Sequence, residues 1–366
     1  MTTKIRTYLA RWTVYVPIIS LVELILTWGR DLSPLVVIVV GVSLAGSVLA
    51  AVHHAEVVAH KVGEPYGSLV LAVAVTVIEV ALIVTLMISG GDKTQSLARD
   101  TVFAAVMITC NGILGLSLLV GAIRRRIAVF NPEGTGGALA AVAMIATLSL
   151  VLPAFTTSRT GPEFSPSQLA FAAVASLALY LLFVAVQTRR HRDYFLPITT
   201  EGRVIDEEEH ADPPTARAAW TSLALLMVAL IAVVGLAKGV SPSIEAGVAD
   251  AGLPQSVVGV VIALLVLLPE TIAAVRAAAR DRMQTSLNLA LGSAMASIGL
   301  TIPTISIAMI WLSGPLVLGL GGTQMVLLAL TVVVGTLTVV PGRANVLQGG
   351  IHLSLLAAFL FLAANP

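Results

Sequence analysis

The sequence has few charged residues for its length. Asp, Glu, Lys and Arg make up 11% of the 366 residues, hydrophobic residues make up 57%, and the mean hydropathy is +0.96. An average soluble domain has roughly 25% charged and about 45–50% apolar residues. So little charge cannot cover a water-facing surface, which excludes a soluble globular protein. Apolar runs close to the roughly 20 residues that cross a bilayer recur along the chain and predict a polytopic membrane protein.

Cysteine is nearly absent, and neither sign of charge dominates. The single cysteine, Cys110, excludes a disulfide framework and a site with several cysteine ligands. The net charge of +1 argues against a nucleic-acid partner, which needs a concentrated basic surface. A P-loop motif is also absent, so ATP-driven pumping by this chain is not expected. No signal peptide is expected either, because the basic start with Lys4, Arg6 and Arg11 leads into an apolar stretch without a cleavage pattern.

Eleven apolar windows, bounded by charged residues and by glycine or proline, predict eleven transmembrane helices. Segments of this length must satisfy their own backbone hydrogen bonds in lipid, so the predicted fold class is all-α. The windows lie near 13–29, 34–59, 67–90, 101–122, 137–155, 168–187, 218–237, 252–277, 285–311, 315–340 and 346–364.

The lysine and arginine residues in the loops predict the orientation. With the N-terminus inside, sixteen of them fall in inner loops and five in outer loops. Because positively charged loops stay in the cytoplasm, we expect a cytoplasmic N-terminus and an external C-terminus.

The chain is expected to divide at its one long polar segment. We predict a leading segment at 1–33, a first five-helix repeat at 34–187, an acidic linker at 188–217 and a second five-helix repeat at 218–366. The linker carries Asp206, Glu207, Glu208 and Glu209. This cluster is interpreted either as a solvated linker or as a weak cation-sensing patch, and the sequence leaves both open.

The two five-helix blocks are weakly similar in register. Residues 75–83 around Glu79 correspond to 266–274 around Glu270, and 109–115 correspond to 293–299. An odd number of spans in each block means that the second block crosses the membrane in the opposite orientation. Inverted repeats are typical of secondary transporters, whose substrate site lies near the midplane where the repeats meet.

Glu79 and Glu270 occupy matching positions inside apolar spans. A carboxylate at this depth costs about 2.5–3.5 kcal/mol on insertion scales, so it is expected to face a cavity, bind a cation or carry a proton. The pair would supply four oxygens and two negative charges, which suit a metal ion such as Ca²⁺. Without the cation, mutual repulsion favours protonation, and this is the minimal chemistry of proton/cation exchange. The alternative is that each glutamate only hydrogen-bonds a neighbouring helix.

Further oxygen ligands are expected beside the two glutamates. Pro269 lacks a backbone donor and clashes with the preceding turn, so it is predicted to break the helix and free carbonyl oxygens beside Glu270. The other candidates are hydroxyl and amide side chains, each of which has helix-to-helix hydrogen bonding as its alternative role. They are Thr76, Thr271, Thr109, Asn111 and Ser293.

Histidine and glutamate cluster near the predicted cytoplasmic end of the second span, at His53, His54 and Glu56. Such a group could relay protons on an access path or bind zinc, and interfacial solvation is the alternative. The zinc interpretation is weak because no HExxH helix is present. Glu23 and His352, which stand alone in their spans, are interpreted as packed polar residues rather than ligands.

Four segments together resemble one family of transporters. Residues 55–69, 77–80, 99–112 and 268–294 are similar to the bacterial ChaA-type calcium/proton antiporters of the cation/calcium exchanger superfamily, over essentially the whole chain. The resemblance implies that Glu79 and Glu270 bind the transported cation and that Glu56 lies on the cytoplasmic access path. It also implies a bacterial cytoplasmic membrane and transport of Na⁺ or K⁺ as well as Ca²⁺.

The leading hypothesis is therefore secondary antiport, in which inward proton flow drives Ca²⁺ or Na⁺ out of the cytoplasm. A passive cation channel and an intramembrane metalloenzyme built on His53, His54 and Glu56 are the alternatives, and the lack of a recognisable filter loop argues against the channel. The expected partners are inorganic cations, protons and the lipid bilayer. We expect no resident cofactor, and the oligomeric state stays open, a homo-oligomer included.

Overall fold

A computed structural model describes residues 12–30, 32–63, 66–90, 95–198, 214–311 and 315–366. Most of these residues are helical, which confirms the predicted all-α fold class. The acidic cluster at 206–209 and the basic residues Lys4, Arg6 and Arg11 lie outside the described residues.

The described elements are numbered in chain order. The helices are α1 (Trp12–Thr27), α2 (Pro34–Val62), α3 (Tyr66–Gly90), α4 (Leu97–Arg125), α5 (Pro132–Ala154), α6 (Pro166–Arg190), α7 (Ala216–Asp250), α8 (Ser256–Val266), α9 (Leu268–Ala279), α10 (Met283–Ala308), α11 (Gly322–Val339) and α12 (Val346–Ala364). Strands β1 (Ala128–Val129) and β2 (Arg343–Ala344) pair antiparallel. The middle of α4, Ile108–Ile113, is wound as a wider π-helix and is called the π segment below.

Each predicted apolar window falls on a helix, and the window at 252–277 falls on the bent pair α8 and α9. By length and composition, eight of the described helices could each cross a membrane, or nine spans if the bent pair counts as one. Helix α1 and the part of α3 at Ala72–Ile88 are shorter apolar helices. The number of eleven spans therefore stays a prediction.

Two window boundaries differ from the helix boundaries by more than five residues. Helix α7 continues past Lys238 to Asp250, because a charge marks the edge of an apolar layer without ending a helix. The window at 315–340 begins as an extended segment that is hydrogen-bonded to α5 and to the loop after α5. Helix α11 itself starts at Gly322.

The chain divides into two compact units, and each combines two stretches of sequence. The first unit is Met1–Thr94 with His210–Gly252 and contains α1, α2, α3 and α7. The second is Gln95–Glu209 with Leu253–Pro366 and contains the other described elements. Each unit takes helices from both predicted repeats, so this division differs from the repeat boundaries, which stay a prediction.

Close packing of small residues holds the first unit together. Helix α2 lies against α1, α3 and α7. The Ser20 hydroxyl on α1 donates to the Ser43 carbonyl on α2 at 3.3 Å. Gly235 on α7 faces Leu24 on α1 so closely that a Cβ atom at this glycine would overlap the leucine side chain. Such contacts are typical of helices in lipid, where dispersion and hydrogen bonds replace the hydrophobic effect.

Helix α4 forms the centre of the second unit, since 83% of its apolar window is buried. Helices α8, α9, α10 and α12 pack around it. Glycines bring α4 and α12 into backbone contact: a Cβ atom on Gly115 would lie 2.8 Å from the Cβ of His352, and one on Gly349 would lie 2.7 Å from the nitrogen of Leu119. This approach places α12 side chains directly against the π segment.

Candidate cation site

Glu79 lies in the middle of α3 and is 4% exposed. Thr76, three residues earlier and therefore on the same helix face, is 6% exposed. Helix α3 packs against α2 and α7 within the first unit. The structure thus places a buried carboxyl and a buried hydroxyl group on one face of α3.

Glu270 lies at a break in an apolar span of the second unit. Helix α8 ends at Val266, α9 begins at Leu268, and the two axes differ by 51°. Pro269 is at the start of α9, where its missing N–H costs no helical hydrogen bond, whereas a continuous helix would need that N–H. Glu270 is therefore in the first turn of a half-helix, where free backbone N–H groups and the helix dipole favour negative charge.

Thr271 stabilises the break from the α9 side. Its hydroxyl and its backbone N–H both donate to the carbonyl oxygen of Leu267, at 2.7 and 2.9 Å. The hydroxyl hydrogen is thus used within the chain, and only the oxygen lone pairs of Thr271 can face a ligand. Next to it, the Oε2 atom of Glu270 is buried. Helix α9 packs against α10, which carries the half-buried Ser293.

The two glutamates belong to different compact units, Glu79 to the first and Glu270 to the second. Each is described above within its own unit. That both carboxylates share one cation stays a prediction.

Asn111, a predicted ligand, is engaged by neighbouring helices. It lies in the π segment and is fully buried. Its Nδ2 donates to Thr331 Oγ1 on α11 at 2.9 Å, and its Oδ1 is 3.1 Å from Nδ1 of His352 on α12. Thr109 likewise donates to a backbone carbonyl of its own helix at 2.7 Å. Asn111 thus has the helix-to-helix contacts that the sequence left open as its alternative role, whereas the Thr109 hydroxyl bonds within its own helix.

The three residues of the predicted access cluster are not in equivalent environments. His54 is 3% exposed, its Nε2 donates to the Thr13 carbonyl at 2.9 Å, and its Nδ1 is 3.3 Å from the Ser222 hydroxyl. It therefore connects α2 to α1 and α7 as a packing residue. His53 and Glu56 are exposed. A relay through His54 would first have to break these two hydrogen bonds.

A metal site at this cluster finds no support in the geometry. Within the ranges that the structure describes, no three His, Cys, Asp or Glu side chains lie close enough together to hold a metal ion. The zinc interpretation of His53, His54 and Glu56 therefore lacks a ligand set.

Sequence reasoning gave no role to a buried ion pair at the start of α4. The Asp100 side chain is 4% exposed, lies 2.8 Å from Nη2 of Arg99, and accepts a hydrogen bond from the Ser96 hydroxyl at 2.9 Å. Arg99 also donates to the Gly319 carbonyl at 3.3 Å. Asp100 borders a cavity of about 210 Å³ between the ends of α4, α8, α11 and α12. In the sequence, the only sign of this ion pair is that arginine and aspartate are adjacent directly before an apolar run.

Comparisons with known proteins agree over nearly the whole chain. The sequence model of a family described as sodium/calcium exchanger protein matches residues 32–189 and 221–365. A Sinorhizobium fredii protein designated y4hA is 45% identical over 362 residues, which cover 97% of this chain and 96% of that protein. The sodium-potassium/proton antiporter ChaA of Escherichia coli is 33% identical over 348 residues, covering 94% and 93%. The crystal structure of the H⁺/Ca²⁺ exchanger CAX matches with a TM-score of 0.72, covering 99% of this chain and 89% of that chain; at 16% identity this likeness concerns the fold alone.

Proposed function

Because the chain belongs to the sodium/calcium exchanger protein family, we propose that it exchanges cytoplasmic Ca²⁺ for external protons through Glu79 and Glu270, with Na⁺ and K⁺ as further substrates. The family resemblance predicted from the motifs is confirmed, and the relatives are named as an ionic transporter and a sodium-potassium/proton antiporter, not as enzymes. The observation that carries the proposal is Glu270 in the first turn of a half-helix within a broken apolar span.

The chemistry of a buried carboxyl group explains how exchange is coupled. A deprotonated glutamate in an apolar interior is costly unless a cation neutralises it, and a proton removes the same cost by making the group neutral. The proton and the cation therefore compete for the same oxygens. Only the loaded states can be carried cheaply between the two sides, so one ion leaves when the other arrives.

The half-helix geometry supports alternation at Glu270. In the proposed cycle α9 changes its angle to α8 at this joint, where the bond from Thr271 to Leu267 is present and Pro269 lacks the N–H that a continuous helix would bond. Broken helices at transport sites combine an ion-binding end with a hinge. Exposing Glu79 and Glu270 to the external side would let protons displace the cation, and exposing them to the cytoplasm would reverse this.

The choice of ion follows from the ligands. Four carboxylate oxygens favour a divalent cation, so Ca²⁺ is the first candidate. The relative ChaA is named as a sodium-potassium/proton antiporter, which supports Na⁺ and K⁺ as further substrates. We place the protein in a bacterial cytoplasmic membrane with its N-terminus inside, so that the exposed Glu56 and His53 lie on the cytoplasmic access path.

The test is transport by the purified protein in vesicles with an entrapped pH dye. After a proton gradient is imposed, Ca²⁺, Na⁺, K⁺ and Mg²⁺ are added in turn. We expect the transported cation to collapse the gradient, and Glu79→Gln and Glu270→Gln each to abolish the response, because the amide keeps the shape but loses the charge and the proton.

Glu133→Gln is the matched control. Glu133 also follows a proline in the first turn of a helix, α5, but it is exposed. We expect its exchange to match that of the unchanged protein. Substantial exchange by Glu79→Gln or Glu270→Gln would refute the proposal. Cation flux that does not depend on the proton gradient would favour a channel.

A further inference from the structure

A chain of hydrogen bonds in the second unit connects α4, α11 and α12. Its members are Asn111 and His352, both 0% exposed, with Thr331 and Thr338, 2% and 3% exposed. Nε2 of His352 lies 3.1 Å from the Thr338 hydroxyl, and Nδ1 lies 3.1 Å from Oδ1 of Asn111. The Asn111 amide continues to Thr331 at 2.9 Å. Because these groups are buried, water does not readily replace a lost partner, and the loss of any one of these hydrogen bonds is expected to lower stability.

The direction of these hydrogen bonds is determined by the residue types. The single hydroxyl hydrogen of Thr331 points to the Leu327 carbonyl at 2.8 Å or to Met107 Sδ at 3.5 Å. Thr331 therefore accepts from Asn111, which places the amide nitrogen of Asn111 toward α11 and its oxygen toward His352. Since that oxygen only accepts, Nδ1 of His352 carries the hydrogen. Nε2 is then the acceptor for the Thr338 hydroxyl.

The hydrogen-bond network lies next to the helix that carries Glu270. The π segment, which contains Asn111, contacts α9, the helix that carries Glu270, and it also contacts α10. π-Type turns often occur at functional sites. Gly115, one turn after Asn111, allows His352 to approach α4 closely enough to supply it.

We infer that His352 is a positioning residue: its Nδ1–H holds the amide of Asn111, and thereby the π segment, in place against the Glu270 helix. The Thr338 hydroxyl donates its hydrogen to Nε2 of His352, and this keeps the ring in the Nδ1–H form. The effect on transport rests on the function proposed above; the effect on the π segment does not.

Two substitutions separate positioning from space filling. In His352→Asn, the amide nitrogen takes the place of Nδ1 and keeps the donor to Asn111, although the side chain is smaller. In His352→Gln, the size is closer to histidine, but the amide nitrogen takes the place of Nε2, and the donor to Asn111 is lost. Positioning predicts that the asparagine variant is nearly normal and the glutamine variant is impaired. Space filling predicts the reverse order.

Cys110 reports on the π segment without any transport assay. It is the only cysteine of the chain, adjoins Asn111 and is 1% exposed, so labelling by N-ethylmaleimide has no background from other thiols. We expect slow labelling of the folded unchanged protein and of His352→Asn in detergent. We expect about tenfold faster labelling of His352→Gln, because the loss of one buried hydrogen bond lowers the free energy of the local opening that exposes Cys110.

The second readout is the KM of the driving cation in vesicles. We expect His352→Gln to raise KM about tenfold while the rate at saturating cation changes less, and His352→Asn to restore the KM. If the unchanged protein shows no cation-driven exchange, the proposed function fails, and the labelling result still decides the role of His352.

The inference is overturned if His352→Asn exposes Cys110 as much as His352→Gln does, or if neither variant labels faster than the unchanged protein. Should the glutamine variant not fold, Thr338→Val replaces it, because valine keeps the shape and removes only the donor to Nε2. Faster labelling of Thr338→Val then supports the inference, and unchanged labelling overturns it.

Discussion

The contact between α4 and α12 can be tested with two adjacent glycines. Gly349 and Gly350 follow each other on α12, but only Gly349 faces α4. A Cβ atom there would lie 2.7 Å from the nitrogen and 3.0 Å from the Cα of Leu119, and 3.0 Å from the Gly115 carbonyl oxygen. All three are backbone atoms, so no side chain can move aside. A Cβ atom on Gly350 meets nothing within 4 Å.

The size of the effect follows from this geometry. To reach ordinary contact distance, α12 would have to move away from α4 by several tenths of an ångström, and overpacking of this kind costs about 1–3 kcal/mol. Alanine also gains up to about 1 kcal/mol over glycine inside a helix. That gain is common to Gly349→Ala and Gly350→Ala, so the difference between the two variants isolates the clash.

Thermal unfolding of the purified variants in detergent measures this difference. An unfolding entropy of about 2.1 cal/mol/K per residue means that one kcal/mol shifts the midpoint of a 366-residue chain by roughly 1.3 °C. We expect Gly349→Ala to melt about 1–4 °C below Gly350→Ala, and Gly350→Ala to melt at or above the unchanged protein. Equal midpoints would show that the backbones of α4 and α12 are not in contact as described.

Two further predictions concern buried polar residues. His54→Ala should lower the melting midpoint, because it leaves the Thr13 carbonyl and the Ser222 hydroxyl without their partner, whereas His53→Ala at the exposed neighbour should change it little; equal losses would contradict the packing role. Asp100→Asn should destabilise by on the order of 3 kcal/mol in a denaturant or thermal series, because it leaves the mostly buried Arg99 without its counter-ion, while Asp281→Asn breaks only an exposed pair and should have little effect. A stable Asp100→Asn protein would show that the ion pair is not coupled to folding.

Local features of the sequence predicted the break at Glu270. Proline inside an apolar run removes one hydrogen bond and clashes with the preceding turn, whatever surrounds it. The break between α8 and α9 lies at Leu267, two residues before Pro269, which occupies the first turn of α9. By contrast, the continuation of α7 to Asp250 was missed, because helix length beyond the apolar layer depends on what the helix packs against.

Sequence reasoning grouped side chains that the structure separates. His53, His54 and Glu56 are close in the chain, yet neighbours in a helix point in different directions, so that His54 is buried while the other two are exposed. For Asn111, residue type and depth make a cation ligand and a helix-to-helix contact equally reasonable from the sequence, and its partners on α11 and α12 are visible only in the structure.

The sequence by itself determined that the chain is an all-α membrane protein with carboxyl groups inside apolar spans. These properties follow from composition, from segment length against bilayer thickness, and from the cost of charge in lipid, which are local or additive. The family also follows from its motifs. Only the tertiary structure decided the composition of the two units and the pairing of Asn111 with His352, 241 residues away. Such partners depend on which helix faces meet, and the periodicity of a uniformly apolar helix does not show this.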